Sequence, residues 1–149
     1  MRASVLLLLC SLVAAPAFAQ APTAVPWGPA PPFLSPGARF AVMQGDPSKA
    51  ALYTIRLELP DGYVIKPHFH PTDEHVTVVS GTFLVGMGDS VDFKNGMTLP
   101  AGGFVTAPAQ AHHFAGARGL TVVQVHGMGP FAITYVKVGD DPRPAMPAH

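Results

Sequence analysis

Cysteine is all but missing from this chain: Cys10 is the only one in 149 residues, so no disulfide can form within it. Stability then has to come from a hydrophobic core, a bound metal or association. Charge is scarce as well. Nine Lys and Arg face nine Asp and Glu, only 12% of the residues, for a formal net charge of zero. The basic residues are scattered singly, without the stripe that a nucleic acid or an anionic membrane surface requires, and neither is expected as a partner. No apolar run reaches the length of a bilayer-spanning helix, and no window combines helical periodicity with a cap. What the chain has in quantity is proline (17) and glycine (15), the composition of a compact, turn-rich fold.

The first residues read as an export signal. Arg2 gives a positive start, Val5 to Val13 an apolar run, and Ala17-Phe18-Ala19 a small-x-small cleavage site ending at Ala19. No Arg pair precedes the run, so the general secretion route, which threads unfolded chains, is expected, with a periplasmic or secreted product and no membrane association after cleavage. Cys10 lies inside this signal behind Leu8 and Leu9, where a lipidation site wants small residues. Expected boundaries are a signal at 1–19, a Pro-rich extended arm at 20–37, one domain at 38–139 and a frayed tail at 140–149. The arm holds Pro22, Pro26, Pro29, Pro31, Pro32 and Pro36 and is read as extended rather than packed. Trp27 and Phe33 within it are expected to lie on the domain surface or on a partner subunit.

From Phe40 on, short apolar or alternating runs are separated by turn residues. Tyr53, Ile55, Leu57 and Leu59 alternate with Thr54, Arg56 and Glu58, the period of a half-buried strand. Val76–Val79 and Thr82–Met87 flank Ser80-Gly81 as a hairpin would; Phe104–Ala107, His112–Ala115, Leu120–His126 and Phe131–Val138 supply later strands. Nine or ten short strands with frequent turns predict an all-β sandwich or barrel.

The stretch that carries chemistry runs from Gly62 to Glu74. In an extended segment His68 and His70 project from the same face, because side chains alternate with a period of two. Pro67 and Pro71 bracket the pair and limit its freedom. Glu74, after a short turn, returns a carboxylate to the same pole. Imidazole with carboxylate suits a divalent transition metal: manganese, iron, nickel, copper or zinc.

In these residues the chain resembles a cupin. The first cupin motif, Gly, five residues, His-x-His, three or four residues, Glu, six residues, Gly, is matched throughout by Gly62, His68, His70, Glu74 and Gly81. The second is matched by Gly102, Pro108 and His113, but Gln110 stands where a Gly is usual and Ala117 where an Asn is usual. Neither departure removes a metal-binding atom, although Gln fits poorly where φ is positive. The resemblance covers about Phe40 to Val138. It implies a single small jelly-roll β-barrel with one metal inside, held by His68, His70, Glu74 and His113.

Further expectations attach to the neighbours of these residues. Glu74 has a second possible role as general base. Gln124 and His126 share a strand face and are candidates to enter the barrel beside the metal as pocket or acid/base groups, with a solvent-facing His126 as the alternative. Tyr63 and Phe83 are further pocket candidates, and Phe69, Phe104, Phe114 and Tyr135 are aromatic lining candidates. His75 is expected to point away, as is His112 unless the turn before it is irregular and makes it the ligand in place of His113. Three functions are compatible with the pattern: a metal-dependent enzyme on a small organic molecule (a dioxygenase or a lyase/isomerase), a ligand-binding module without turnover, and a barrel stapled by a structural metal. A homodimer is expected, with the arm adding to a neighbour's sheet or covering its edge.

Overall fold

The computed structural model describes residues 24–144; the expected export signal, with its expected cleavage site at Ala19, and the last five residues lie outside them. The strands are β1 (Gly28–Pro29), β2 (Arg39–Gln44), β3 (Leu52–Leu59), β4 (Val64–Phe69), β5 (Glu74–Met87), β6 (Met97–Pro100), β7 (Phe104–Ala107), β8 (His113–Met128) and β9 (Thr134–Tyr135). The only helical turn among the described residues is Val138–Asp140, and no helix there is long and apolar enough to cross a membrane.

Two long strands organise the fold. β5 and β8 pair antiparallel along most of their lengths, from His75↔His126 to Met87↔His113. The far half of β8 continues the sheet through β3 to β2 and β1, while its near half pairs with β4, which carries β9. β7 and β6 extend opposite halves of β5. The result is one nine-stranded sheet curled into a jelly-roll barrel.

β3 follows the alternation expected of it: Tyr53, Ile55, Leu57 and Leu59 are buried in the core and the residues between them are not. Ser80-Gly81 is not a hairpin. It is a bulge inside the continuous β5, where the register against β8 shifts on both sides of Ser80. Gly81 sits at φ +80°, and a Cβ there would stand 2.4 Å from the Leu120 carbonyl oxygen. A bulge reverses which residues face inward: Glu74, Val76 and Val78 are buried before it, Phe83 and Val85 after it. His112–Ala115 and Leu120–His126 likewise merge into the single strand β8, and of Phe131–Val138 only Thr134–Tyr135 is strand.

The segment ahead of the barrel is packed, contrary to the extended arm read from its prolines. β1 pairs with β2 of the same chain (Gly28↔Phe40) and forms one edge of the sheet. Leu34 is only 4% exposed. The Tyr63 hydroxyl donates to the Ser35 carbonyl (2.6 Å) and the Tyr135 hydroxyl to the Phe33 carbonyl (2.7 Å). Phe33 meets Phe131 edge-on at 5.6 Å, and the Arg39 guanidinium lies 5.4 Å over the Trp27 ring. The described part of the tail is tied too: Arg143 pairs with Asp141 and donates to the Ile133 carbonyl.

Candidate metal centre

A bulge also aims the first histidine. Between Ile65 and His68 the register of β4 against β8 slips. Simple alternation from the buried Ile65 would turn His68 outward; the extra residue reverses the parity, so that His68 and His70 are both buried and Phe69 between them is not. Pro67, which has no N–H to give a ladder, occupies this irregularity. His113 opens β8 directly opposite His68, and Glu74 opens β5. Three strand ends, the close of β4 and the starts of β5 and β8, thus bring four side chains to one pole.

The three imidazoles converge. Ring centroids are 4.9 Å apart for His68–His70, 4.2 Å for His68–His113 and 5.1 Å for His70–His113, and one nitrogen from each lies within 4.8 Å of the other two. Glu74 Oε2 stands 3.4 Å from His70 Nε2 and 3.7 Å from His113 Nε2. It falls outside the 4.8 Å set, at the edge of the triad.

Every Nδ1 is anchored on the backbone: His68 donates to the Lys66 carbonyl (2.7 Å), His70 to that of Ala132 (2.7 Å) and His113 to that of Ala111 (3.0 Å). A carbonyl only accepts, so each Nδ1 carries the hydrogen and each neutral ring keeps its Nε2 lone pair free. Metal-ligating histidines are oriented in this way. Two of these atoms, His70 Nε2 and His113 Nε2, are the buried side-chain nitrogens without a hydrogen-bond partner among the described residues. Native structures rarely leave such atoms unmatched. A divalent cation satisfies them, and the donor set of imidazoles with one carboxylate suits it.

The electrostatics agree. Burial, reinforced by its two histidine neighbours, pushes His68 down to about 3, so its ring is neutral at ordinary pH. Burial pushes Glu74 up, but His70 and His113 outweigh it and hold the carboxyl below the usual range, so it stays ionised. Burial pushes His70 down, yet the Glu74 carboxylate beside it leaves it raised overall. A cation held at this pole would answer the Glu74 carboxylate.

Gln110, at the departure from the second cupin motif, has φ +62° and is the one described non-glycine residue with positive φ. Its backbone N–H and its side-chain amide both donate to the His70 carbonyl (2.9 and 3.2 Å). Asp73 holds the same turn through the Ala109 N–H (2.8 Å). The strained turn is therefore kept, and the Gln side chain fastens it to the histidine pole.

Inside the barrel, next to His68, Glu74 and His113, lies a narrow cavity of about 20 Å³. Phe83 lines it, as expected, with Leu34, Leu57, Val76, Phe131 and Ile133 among its other walls. Gln124 and His126 do not. Val123 and Val125 take the inward positions of β8, so Gln124 and His126 face outward: Gln124 accepts from Arg56 Nε and His126 stacks on His75 at 5.0 Å. Tyr63 is spent on the Ser35 carbonyl and is not a wall. Phe69 stacks on the outward His112 (5.2 Å), and Phe104 is 55% exposed beside His75. Phe114 is buried on the far side of β8 under Phe93. Tyr135 stands 6.0 Å from the His68 ring, outside the cavity walls. Three walls were not expected from the sequence: Leu34, in the Pro-rich segment, and Phe131 and Ile133, in a run read as strand that is irregular there. Nor was the Ala132 carbonyl, a backbone atom no motif displays.

Residues 16–132 match the family model of the ChrR cupin-like domain. The chain belongs to this cupin family. Solved structures similar to this cupin include a candidate acetylacetone dioxygenase from Methylibium petroleiphilum (22% identity, 80% of each chain, TM-score 0.62). KdgF from Halomonas sp. is similar at 21% identity over 69% of this chain and 87% of its own (TM-score 0.54). A structure from work on the DMSP lyases RdDddP and RnDddQII is similar at 19% identity over 67% of this chain and 53% of its own (TM-score 0.56). At these identities the likeness establishes a shared fold. No curated protein matches the sequence.

Proposed function

We propose that this cupin is exported, holds one divalent transition metal on His68, His70 and His113 with Glu74 as fourth ligand or as base, and acts on a small organic molecule. The observation that carries this reading is the set of three buried imidazoles, each anchored at Nδ1, with two orphaned Nε2 atoms between them. Such an ion supplies Lewis acidity or, if redox-active, electron transfer to dioxygen. Glu74, ionised at this pole, has no proton to give at first, so its opening role is to accept one. The apolar walls keep bulk water from the reacting centre. Dioxygenase and lyase/isomerase chemistry both fit; structural neighbours named for a dioxygenase and for lyases support keeping both.

A second reading is capture of a ligand without turnover. Its support is that Glu74 is the single carboxylate on the cavity wall and that no Tyr, Lys or Arg lines it. Export adds a consequence: a chain that folds after translocation selects its ion outside the cytoplasm, where the affinity order favours copper and zinc. Association as a homodimer also belongs to this proposal, through a sheet edge such as that of β1 in the segment ahead of the barrel, which pairs on one side only.

The test is metal content of protein taken from its native compartment, followed by dioxygen uptake and substrate loss with catechol-like, diketone and sugar-acid panels. One ion per chain that is lost in His113→Ala, with turnover of a panel member, is expected. Metal retention without turnover transfers the case to the binding reading. Metal content indifferent to His113 overturns both, and iron or manganese in the native protein overturns the order-of-affinity argument.

A further inference from the structure

The three inner histidines are not anchored alike. His68 rests its Nδ1 on the carbonyl of Lys66 and His113 on that of Ala111, each two residues earlier in the same run of chain, so these anchors travel with their rings. His70 instead reaches 62 residues away, to the Ala132 carbonyl. Ala132 lies in the irregular stretch between β8 and β9. That stretch is tied at its two ends, where the Gly129 N–H donates to the Ala51 carbonyl (2.9 Å) and Thr134 pairs with Phe69. Between the ends stands Phe131. Its N–H donates to the Pro47 carbonyl (2.7 Å), and its ring is wedged among three others. It stacks on His70 at 5.7 Å with the planes 19° apart, and it meets Tyr53 and Phe33 at 5.6 Å each. One short stretch therefore touches His70 twice, with a carbonyl at the ring's edge and a phenyl on its face.

We propose that Phe131 is a positioning residue for His70: its ring keeps the stretch at residues 129–133 where the Ala132 carbonyl can fix the imidazole, and so slows the departure of the ion that His70 holds. This rests on the metal reading above. A phenyl ring offers no atom to a cation, so any effect of Phe131 on the ion passes through the group it steadies. His70 is the ring on which such an effect falls. A local movement of 129–133 frees its anchor, whereas the anchors of His68 and His113 are lost only when their own strands open. A ligating imidazole that loses the partner of its second nitrogen loses its fixed orientation, and the metal is held less well.

The experiment uses the full chain loaded with Zn²⁺ and follows release of zinc to excess 4-(2-pyridylazo)resorcinol, which colours on binding it. Phe131→Ala should release zinc faster than the natural chain by about 10- to 100-fold, the size of effect that loss of such a partner has on metal affinity. Phe131→Leu keeps apolar bulk under the barrel but has no face to lay on His70, and it should shift release in the same direction. Protein that fails to fold gives up its zinc in an initial burst, apart from the rate that is read. A double-mutant cycle separates positioning from mere propping. Where Phe131 acts through His70, Phe131→Ala adds nothing to the release rate of His70→Ala, yet it keeps its effect in His113→Ala; a residue that only props the barrel adds its factor in both backgrounds. Release unchanged by both substitutions of Phe131, or an effect that persists in full beside His70→Ala, overturns the inference while the metal reading stands. Zinc held equally well by His113→Ala overturns both.

Discussion

Histidine occurs in two settings on this barrel, sometimes one residue apart, and the contrast explains how the site is made. His68, His70 and His113 are buried, and each rests its Nδ1 on a backbone carbonyl. His75, His112 and His126 lie on the outside. His75 meets the Thr106 hydroxyl, His112 the Asp89 carboxylate, and both stack on exposed or half-buried aromatic partners. His112 and His113 are adjacent in the chain, as are Glu74 and His75, so strand parity alone separates the inner side chains from the outer ones. Backbone anchoring makes the inner rings stiff. The outer rings are held only by other side chains.

The largest effect that would break this contrast is at the inner set. His113→Ala should reduce metal affinity by more than about 100-fold, because even loss of a ligand's hydrogen-bond partner costs 10–100-fold; His112→Ala and His126→Ala should leave it unchanged. Equilibrium dialysis against a chelator measures all three.

Next in size is the bulge that turns Phe83 inward. Gly81→Ala places a Cβ against the Leu120 carbonyl at positive φ and should lower stability by about 3 kcal/mol or more, read by chemical denaturation. Its counterpart at the other strained position should be mild. Gln110→Gly relieves φ +62° but gives up the bond to the His70 carbonyl, and the two should offset to within about 1 kcal/mol.

Acid sharpens the comparison in metal-free protein. His68 is depressed from 6.5 to about 3 in the fold, so the unfolded chain takes up its proton first. Its contribution is present above pH 6.5 and is lost as pH falls toward 3. Glu74, also depressed, acts in the same direction on the acid side, whereas the raised His70 opposes it by favouring the fold under mild acid. His68→Gln should flatten the fall of stability between pH 6 and about 4, while His126→Ala should leave the curve as it is. A denaturation series across that range decides it.

Much of this site was legible in the sequence because its chemistry is local. His68, His70 and Glu74 stand within seven residues, and the second motif supplied His113 at a distance. Phe83 also fell where expected. The reading failed at parity. Gln124 and His126 share a face, but alternation does not say which face, and the buried pair in that strand proved to be Val123 and Val125. Ser80-Gly81 carries turn chemistry, yet in a strand already paired on both sides the same residues make a bulge. The prolines ahead of the barrel suggested an unpacked arm; Leu34, Ser35 and Phe33 show that such a segment packs when tyrosine hydroxyls reach its carbonyls.

X-ray absorption at the metal edge of the copper- or zinc-loaded protein tests the central claim most directly. Three imidazole nitrogens at about 2.0–2.1 Å are expected in the natural chain and in His126→Ala, falling to two in His113→Ala. A first shell with fewer than three imidazoles, or one unchanged by His113→Ala, would contradict the account.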